Sequence, residues 1–393
     1  MNVKIGIPIA LCMAVAMLEG FDIQAMGVAA PRLAPEFGLG PGEMKWIFAV
    51  SNIGMVLGAA LGGWLADRVG RKPVLMASAA MFGVFTLCVI FTGEFATLMV
   101  VRLLAGLGFG AALPNMMALA VELSTPARRA FTATLIFCGF PIGGGSVALL
   151  TQVLPADLDW RALFIVGGLL PALLVPALYW LLPETLTPDV GRGPKDHTPS
   201  MTVLFGGGRA GPTLLLWLAF LPTLLILYLI LNWLPTLVVA KGFDRAIAPQ
   251  ASLAFNWASA AGALLVGWLV DRVGPRWPLV LSYAALIGAL VALGASTNHV
   301  AIITLSGVAG FFLLGANYAL YGVAPAYYPV AMRGTGSGAS VAVGRVGSIL
   351  GPLLAGILLQ GGSSATDVVQ YMAPFAAVAG IAVCVLSFFR REH

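Results

Sequence analysis

An eight-residue run occurs twice in this chain. Gly63-Trp64-Leu65-Ala66-Asp67-Arg68-Val69-Gly70 returns as Gly267-Trp268-Leu269-Val270-Asp271-Arg272-Val273-Gly274, 204 residues further along a chain of 393. Each copy closes one long apolar stretch and precedes another, so the chain reads as two homologous halves built from strings of apolar segments. Only 9 % of its residues are charged and 60 % are hydrophobic, whereas a soluble domain carries about 25 % charge. Such a chain cannot cover itself with a hydrated surface. Its apolar segments are expected to face lipid.

Hydropathy divides the chain into twelve spans, each long enough for a bilayer core of about 30 Å. They run approximately over 5–30, 43–65, 73–92, 95–121, 130–152 and 162–183, then 212–240, 247–270, 277–296, 299–324, 335–359 and 369–390. Residues 1–183 form a first six-helix half and 211–393 a second, joined by a hydrophilic linker at 184–210 that is rich in Pro, Gly and charge. The expected fold is an all-α membrane protein of twelve transmembrane helices in two pseudo-symmetric halves. Lys4 precedes an apolar run longer than a signal peptide, so the first span is expected to be retained. The four cysteines fall inside apolar runs without metal-ligand spacing and read as packing residues. The net charge of +5 is spread over many loops, which argues against nucleic acid as a partner.

Basic residues set the orientation. With the N-terminus inside, fourteen of the 21 Lys and Arg residues fall on the cytoplasmic side and five on the other, with Arg102 and Arg345 inside spans. The positive-inside rule then places both termini and the linker in the cytoplasm. Glycines recur every four residues at Gly54, Gly58 and Gly62, at Gly106 and Gly110, at Gly139 and Gly143, and at Gly347 and Gly351. Small residues on one face let membrane helices approach closely. Such faces serve static packing or sliding between helices.

The duplicated loop, completed by Arg71-Lys72 in its first copy, resembles the signature of the major facilitator superfamily. Further runs narrow the resemblance: Glu19-Gly20-Phe21-Asp22, Arg102-Leu103-Leu104-Ala105-Gly106, Phe137-Cys138-Gly139-Phe140-Pro141, Asn232-Trp233-Leu234-Pro235 and Gly344-Arg345-Val346-Gly347. Together they are similar to the aromatic acid:proton symporters, and within them to the bacterial members that carry 3-(3-hydroxyphenyl)propionate. The resemblance implies the major facilitator fold and import of an aromatic monocarboxylate with a proton as coupling ion. It also implies no other cofactor, a bacterial inner-membrane location, function as a monomer and no enzymatic chemistry. In such a protein the loop charges Asp67, Arg68, Arg71, Asp271 and Arg272, with Arg102 and Glu122, are expected to gate or organise the helices. For the loop charges the alternative is a purely topological role. For Glu122 it is a simple cytoplasmic charge cluster.

The charges inside the spans support this independently. Glu19 and Asp22 are three residues apart and share a helix face. An isolated carboxylate at membrane depth must be protonated, paired or wet, and two close carboxylates resist ionising together. Asp22, with Glu19 as second candidate, is therefore expected to carry the coupling proton; the alternative is a permanently paired structural acid. Arg345 lies about 18 Å beyond Arg333 along its helix, and its fork suits a substrate carboxylate or a salt bridge to Glu19 or Asp22. Asn115, Phe137, Tyr228, Asn232, Trp233, Asn317 and Tyr321 are polar or aromatic groups expected to line a substrate cavity, although each amide could equally bond a neighbouring helix. Trp46, Trp160, Trp180, Tyr327 and Tyr328 are expected to anchor span ends at the interface. A proton-driven exporter of drugs or metabolites on the same fold is the main rival function. A non-transporting sensor is disfavoured, because neither the linker nor the tail supplies a signalling domain.

Overall fold

A computed structural model describes residues 3–125, 129–153, 160–185 and 204–389. The chain divides into two compact units, Met1–Pro194 and Lys195–His393. Most of the expected linker, residues 186–203, lies outside the described residues.

The first unit contains α1 (Val3–Glu36), α2 (Pro41–Val69), α3 (Arg71–Cys88, extended by a 3-10 turn to Phe91), α4 (Phe95–Glu122), α5 (Arg129–Val153) and α6 (Arg161–Leu181). The second contains α7 (Ala210–Ala240), α8 (Ile247–Val273), α9 (Arg276–Ala295), α10 (His299–Val323), α11 (Arg333–Gln360) and α12 (Ala365–Leu386, interrupted at Tyr371). All twelve are long and apolar enough to cross a membrane. Helices suit that solvent because they satisfy their own backbone groups.

The two units repeat one packing plan. Helix α2 lies on α4, α1 on α5, and α3 on α4 and α6; α8 lies on α10, α7 on α11, and α9 on α10 and α12. Glycine makes the closest approaches possible, and the repeat is kept to the residue. A Cβ at Gly58 would strike the Leu107 carbonyl, and 204 residues later one at Gly262 would strike the Phe311 carbonyl. Gly106 abuts Ser51 as Gly310 abuts Phe255, and Gly143 abuts Met17 as Gly347 abuts Leu221. The glycine stripes are thus the contact lines between helices within each half. Hydrophobic burial gives little drive between helices in lipid, so this backbone proximity supplies van der Waals contact in its place.

Each unit is also tied at the end opposite its duplicated loop. Glu36 at the end of α1 accepts hydrogen bonds from Trp160 Nε1 at 2.6 Å and Arg161 Nη2 at 2.7 Å. In the second unit Lys241, just past α7, donates to the carbonyls of Leu293 and Gly294 at the end of α9. Partial burial lowers the Lys241 pKa, because desolvation penalises the ammonium.

Three aromatic anchors differ from expectation. Trp160 is buried beneath Phe37 and Phe164. Tyr327 and Tyr328 are buried too, with hydroxyls bonded to the Leu386 carbonyl and to Thr213. A hydroxyl or indole N–H near a helix end can be satisfied by a neighbouring helix instead of interfacial water. Trp46 and Trp180 are exposed, as an interface position requires.

Candidate functional site

The Glu19-Gly20-Phe21-Asp22 run distributes its side chains among four helices. Gly20 presses α1 against α5, where any Cβ would meet the Phe140 backbone. Phe21 is buried against Gly167 of α6. Asp22 turns to α3 and α4. Its Oδ2 pairs with Arg102 Nη1 at 2.7 Å, and its Oδ1 accepts from Thr86 Oγ1 at 2.7 Å. Both charged side chains are almost fully buried, at 0 % and 3 % exposure. Ser51 Oγ donates to the Arg102 carbonyl and so ties α2 to the same point. Glu19 is fully buried three residues earlier on α1. The first unit therefore holds an ion pair knitting α1, α3 and α4, with a second acid close by.

The second unit does not repeat this chemistry. The positions 204 residues after Asp22, Thr86 and Arg102 are Ile226, Leu290 and Ser306, and the counterpart of Glu19 is Thr223. Thr223 shares a 2.6 Å hydrogen bond with Tyr283 on α9. The intramembrane charge of this unit is instead Arg345, near the middle of α11, where the first unit has Pro141. Arg345 is half-buried and donates from Nη1 to Tyr228 Oη on α7 at 3.0 Å. Tyr321 of α10 lies within electrostatic reach of both Arg345 and Tyr228. Its ring packs edge-on against Phe220, 5.3 Å between centroids, and beside Tyr318. The acidic residues described in this unit are Asp244, Asp271 and Asp367, in a loop or within the terminal turn of a helix. A guanidinium among phenol rings, on a helix without a mid-span acid, is suited to a carboxylate brought from outside the unit.

The expected cavity residues separate into two groups. Arg345, Tyr228 and Tyr321 come together. Asn317 lies one turn from Tyr321, is buried, and its Oδ1 has no hydrogen-bond partner. Asn115, Asn232 and Trp233 instead use their donors on backbone. Asn115 Nδ2 reaches Ala111 O at 2.8 Å and Gly62 O at 3.4 Å, joining α4 to α2. Asn232 Nδ2 bonds Tyr228 O at 2.7 Å within α7. Trp233 Nε1 bonds Pro352 O at 3.1 Å, and the residue is 1 % exposed. Asn115 and Trp233 thus tie neighbouring helices together, while Asn232 bonds within its own helix. Phe137 is half-buried beside Phe140.

The duplicated loops sit at helix ends. In the first, Arg71 pairs with Glu122 at the end of α4, and Glu122 also accepts from Thr185 at 2.6 Å. Arg68 lies over Trp64 at 3.8 Å, while Asp67 is exposed. In the second, Arg272 lies over Trp268 at 4.5 Å and Asp271 is exposed. Two participants escaped sequence reasoning. Thr86 carried no signal beyond a hydroxyl within an apolar span. Glu184 fell at the edge of the polar linker, yet it accepts from the N–H groups of Arg71 and Lys72 at 3.2 and 3.1 Å.

Residues 12–254 and 247–393 match the profile of the Major Facilitator Superfamily. The chain is 41 % identical over 98 % of its length, and 94 % of the relative's, to the 3-(3-hydroxy-phenyl)propionate transporter of Escherichia coli K12. It is 33 % identical to the 4-hydroxybenzoate transporter PcaK of Pseudomonas aeruginosa, over 95 % of this chain and 90 % of the relative. Among solved structures, a bacterial homolog of the human lysosomal transporter Spinster superposes with a TM-score of 0.77 at 15 % identity, covering 98 % of each chain. These relatives are transporters, not enzymes.

Proposed function

We propose that this chain, which belongs to the Major Facilitator Superfamily, is a proton-coupled importer of an aromatic monocarboxylate such as 3-(3-hydroxyphenyl)propionate. Its named relatives carry acids of this class. The observation that carries the reading is Arg345, a mid-span guanidinium that donates to Tyr228 and lies within electrostatic reach of Tyr321. A guanidinium fork at membrane depth suits a carboxylate. A carboxylate with an aromatic ring satisfies both the fork of Arg345 and the rings of Tyr228, Tyr321 and Phe220. Asn317, with its open carbonyl oxygen, extends the candidate lining within the second unit.

The acids of the first half are suited to proton coupling. Asp22 holds Arg102 and Thr86 while ionised; a proton on Asp22 releases Arg102 from its counter-ion and changes how α1, α3 and α4 are tied. Glu19 is the second carrier of the same proton. Loading of both sites lets the protein cross between states open to opposite sides of the membrane with less uncompensated charge, as alternating access requires. The loops at Asp67, Arg68, Arg71 and Glu122, and at Asp271 and Arg272, act as latches in this cycle, in a bacterial inner membrane with both termini inside and the monomer as the working unit.

Exchange of labelled for unlabelled 3-(3-hydroxyphenyl)propionate across proteoliposome membranes tests the binding claim without requiring a proton gradient. The parent protein is expected to exchange the acid. Arg345→Gln is expected to lower its apparent affinity by about tenfold or more, since a hydrogen bond to a charged group is worth about 1.5–3 kcal/mol. Unchanged exchange by that variant would remove Arg345 from the substrate site.

A further inference from the structure

The asparagines buried among the described residues are Asn52, Asn115, Asn232, Asn256 and Asn317. Four of them turn the amide nitrogen back onto their own helix. Asn52 donates to the Phe48 carbonyl, Asn115 to Ala111, Asn232 to Tyr228 and Asn256 to Ser252, each four residues earlier. A buried amide is costly unless its polar atoms are matched, and this local bond matches one of them. Asn317 is not tied in this way. It is 2 % exposed, and its Oδ1 is shut off from water with no hydrogen-bond partner among the described residues.

The fold does not require an amide at that place. The position 204 residues earlier, on the matching helix α4, is Leu113, packed against the core of the first half. The glycine contacts that set α10 on α8 repeat those of α4 on α2, so a leucine fills the same place in the same packing plan. The second half differs in carrying the Arg345 site. Tyr321, one turn along α10 from Asn317 and on the same face, packs edge-on against Phe220 of α7. A Cβ at Gly344, beside Arg345 on α11, would meet Phe220 and Leu224. Helices α10 and α11 thus bring Tyr321 and Arg345 to one stretch of α7, and Asn317 follows about 6 Å along α10.

We infer that Asn317 reads the ring of the substrate: its Oδ1 accepts a hydrogen bond from a ring hydroxyl, so that hydroxylated aromatic acids are selected over unsubstituted ones. The inference rests on the aromatic-acid reading above, in which Arg345 takes the carboxylate. A hydroxyl is the ring substituent that completes the amide oxygen, since an ether brings only lone pairs and a hydrocarbon edge brings neither donor nor acceptor. The χ2 torsion of asparagine is broad, and a turn about it presents Oδ1 to the ring. Because Oδ1 holds no water to displace, the bond made there is a gain for the complex. With a leucine in its place, the same hydroxyl would be buried without return.

Exchange of labelled 3-(3-hydroxyphenyl)propionate across proteoliposome membranes, competed by the same unlabelled acid, by 3-phenylpropionate and by 3-(3-methoxyphenyl)propionate, tests this. In the parent protein the hydroxylated acid is expected to compete about fivefold or more better than 3-phenylpropionate, the size of one net hydrogen bond, and the methoxy acid no better than the unsubstituted one. In Asn317→Leu the ratio is expected to fall to about one or below, the loss falling on the hydroxylated acid. Both acids are read on the same protein, so a smaller folded fraction leaves the ratio unmoved, and Asn317→Ala gives the same comparison without added bulk. Equal competition by the hydroxylated and unsubstituted acids in the parent, or a ratio unchanged in both variants, would overturn the role of Asn317 while leaving aromatic-acid transport standing. A parent protein that exchanges no labelled acid would overturn the transport reading itself, and this inference with it.

Discussion

Replacing Asp22 by Asn keeps the shape of the side chain and an acceptor for Thr86 but leaves Arg102 buried without its counter-ion. Removing one member of a buried ion pair costs about 3–5 kcal/mol, because the remaining charge stays desolvated. The exposures of 0 % and 3 % place this pair in that class. The Thr86 hydrogen bond is a smaller matter: side-chain hydrogen bonds between membrane helices average about 0.6 kcal/mol. For a unit of this size, 1 kcal/mol corresponds to about 2–4 °C in melting temperature. Asp22→Asn should therefore lower the transition by roughly 6–20 °C, and Thr86→Val by roughly 1–2 °C, both scaled from those estimates. The double variant Asp22→Asn, Arg102→Met removes both charges and should recover most of the loss, since replacing a buried pair by apolar groups is often neutral. Thermal unfolding of the purified variants in one detergent, read by tryptophan fluorescence as a double-mutant cycle, checks the ordering. If Asp22→Asn melts within a degree or so of the parent, or the double variant is no more stable than the single one, the pair does not hold the first half together.

Three further outcomes follow from the same structure. Gly58→Ala and Gly262→Ala each force a Cβ onto a neighbouring carbonyl and should destabilise by about 1–3 kcal/mol, whereas Gly63→Ala, with nothing within 4 Å, should melt with the parent. Glu184→Gln weakens a carboxylate contact to a helix start that is largely exposed, so its stability loss should be below about 1 kcal/mol, with substrate exchange kinetics reporting any effect on the latch. Arg345→Lys keeps the charge but loses the planar fork, and should weaken exchange of the aromatic acid more than Tyr228→Phe, which removes one neutral partner.

The repeat, the twelve spans and the glycine contact lines were legible because each rests on a long or periodic signal. The helix ends were less so. Helix α1 continues through Pro31 and Pro35 to Glu36, past the expected end at residue 30, where Glu36 is held by Trp160 and Arg161. Helix α12 starts at Ala365, four residues before the expected 369, with Ser364 and Asp367 forming a reciprocal cap that hydropathy reads as loop. In the site, the depths of Asp22, Arg102 and Arg345 could be counted from the ends of their spans, but sequence does not fix which way each points around its helix. That is why Arg102, 80 residues from Asp22, was expected to organise helices without its partner being known. Asn115, Asn232 and Trp233 look in sequence like ligand groups, since a buried amide or indole must find a partner; here the partner is a backbone carbonyl. Glu184 was hidden because it lies outside the duplicated run.

The central claim is coupled import, and uptake of labelled 3-(3-hydroxyphenyl)propionate into proteoliposomes under an inward proton gradient tests it most directly. Accumulation above equilibrium that collapses with the gradient, and is lost in Asp22→Asn while exchange persists, is the predicted result. Accumulation that ignores the gradient, or that appears only when the gradient is reversed, would contradict symport and turn the same fold into a facilitator or an antiporter.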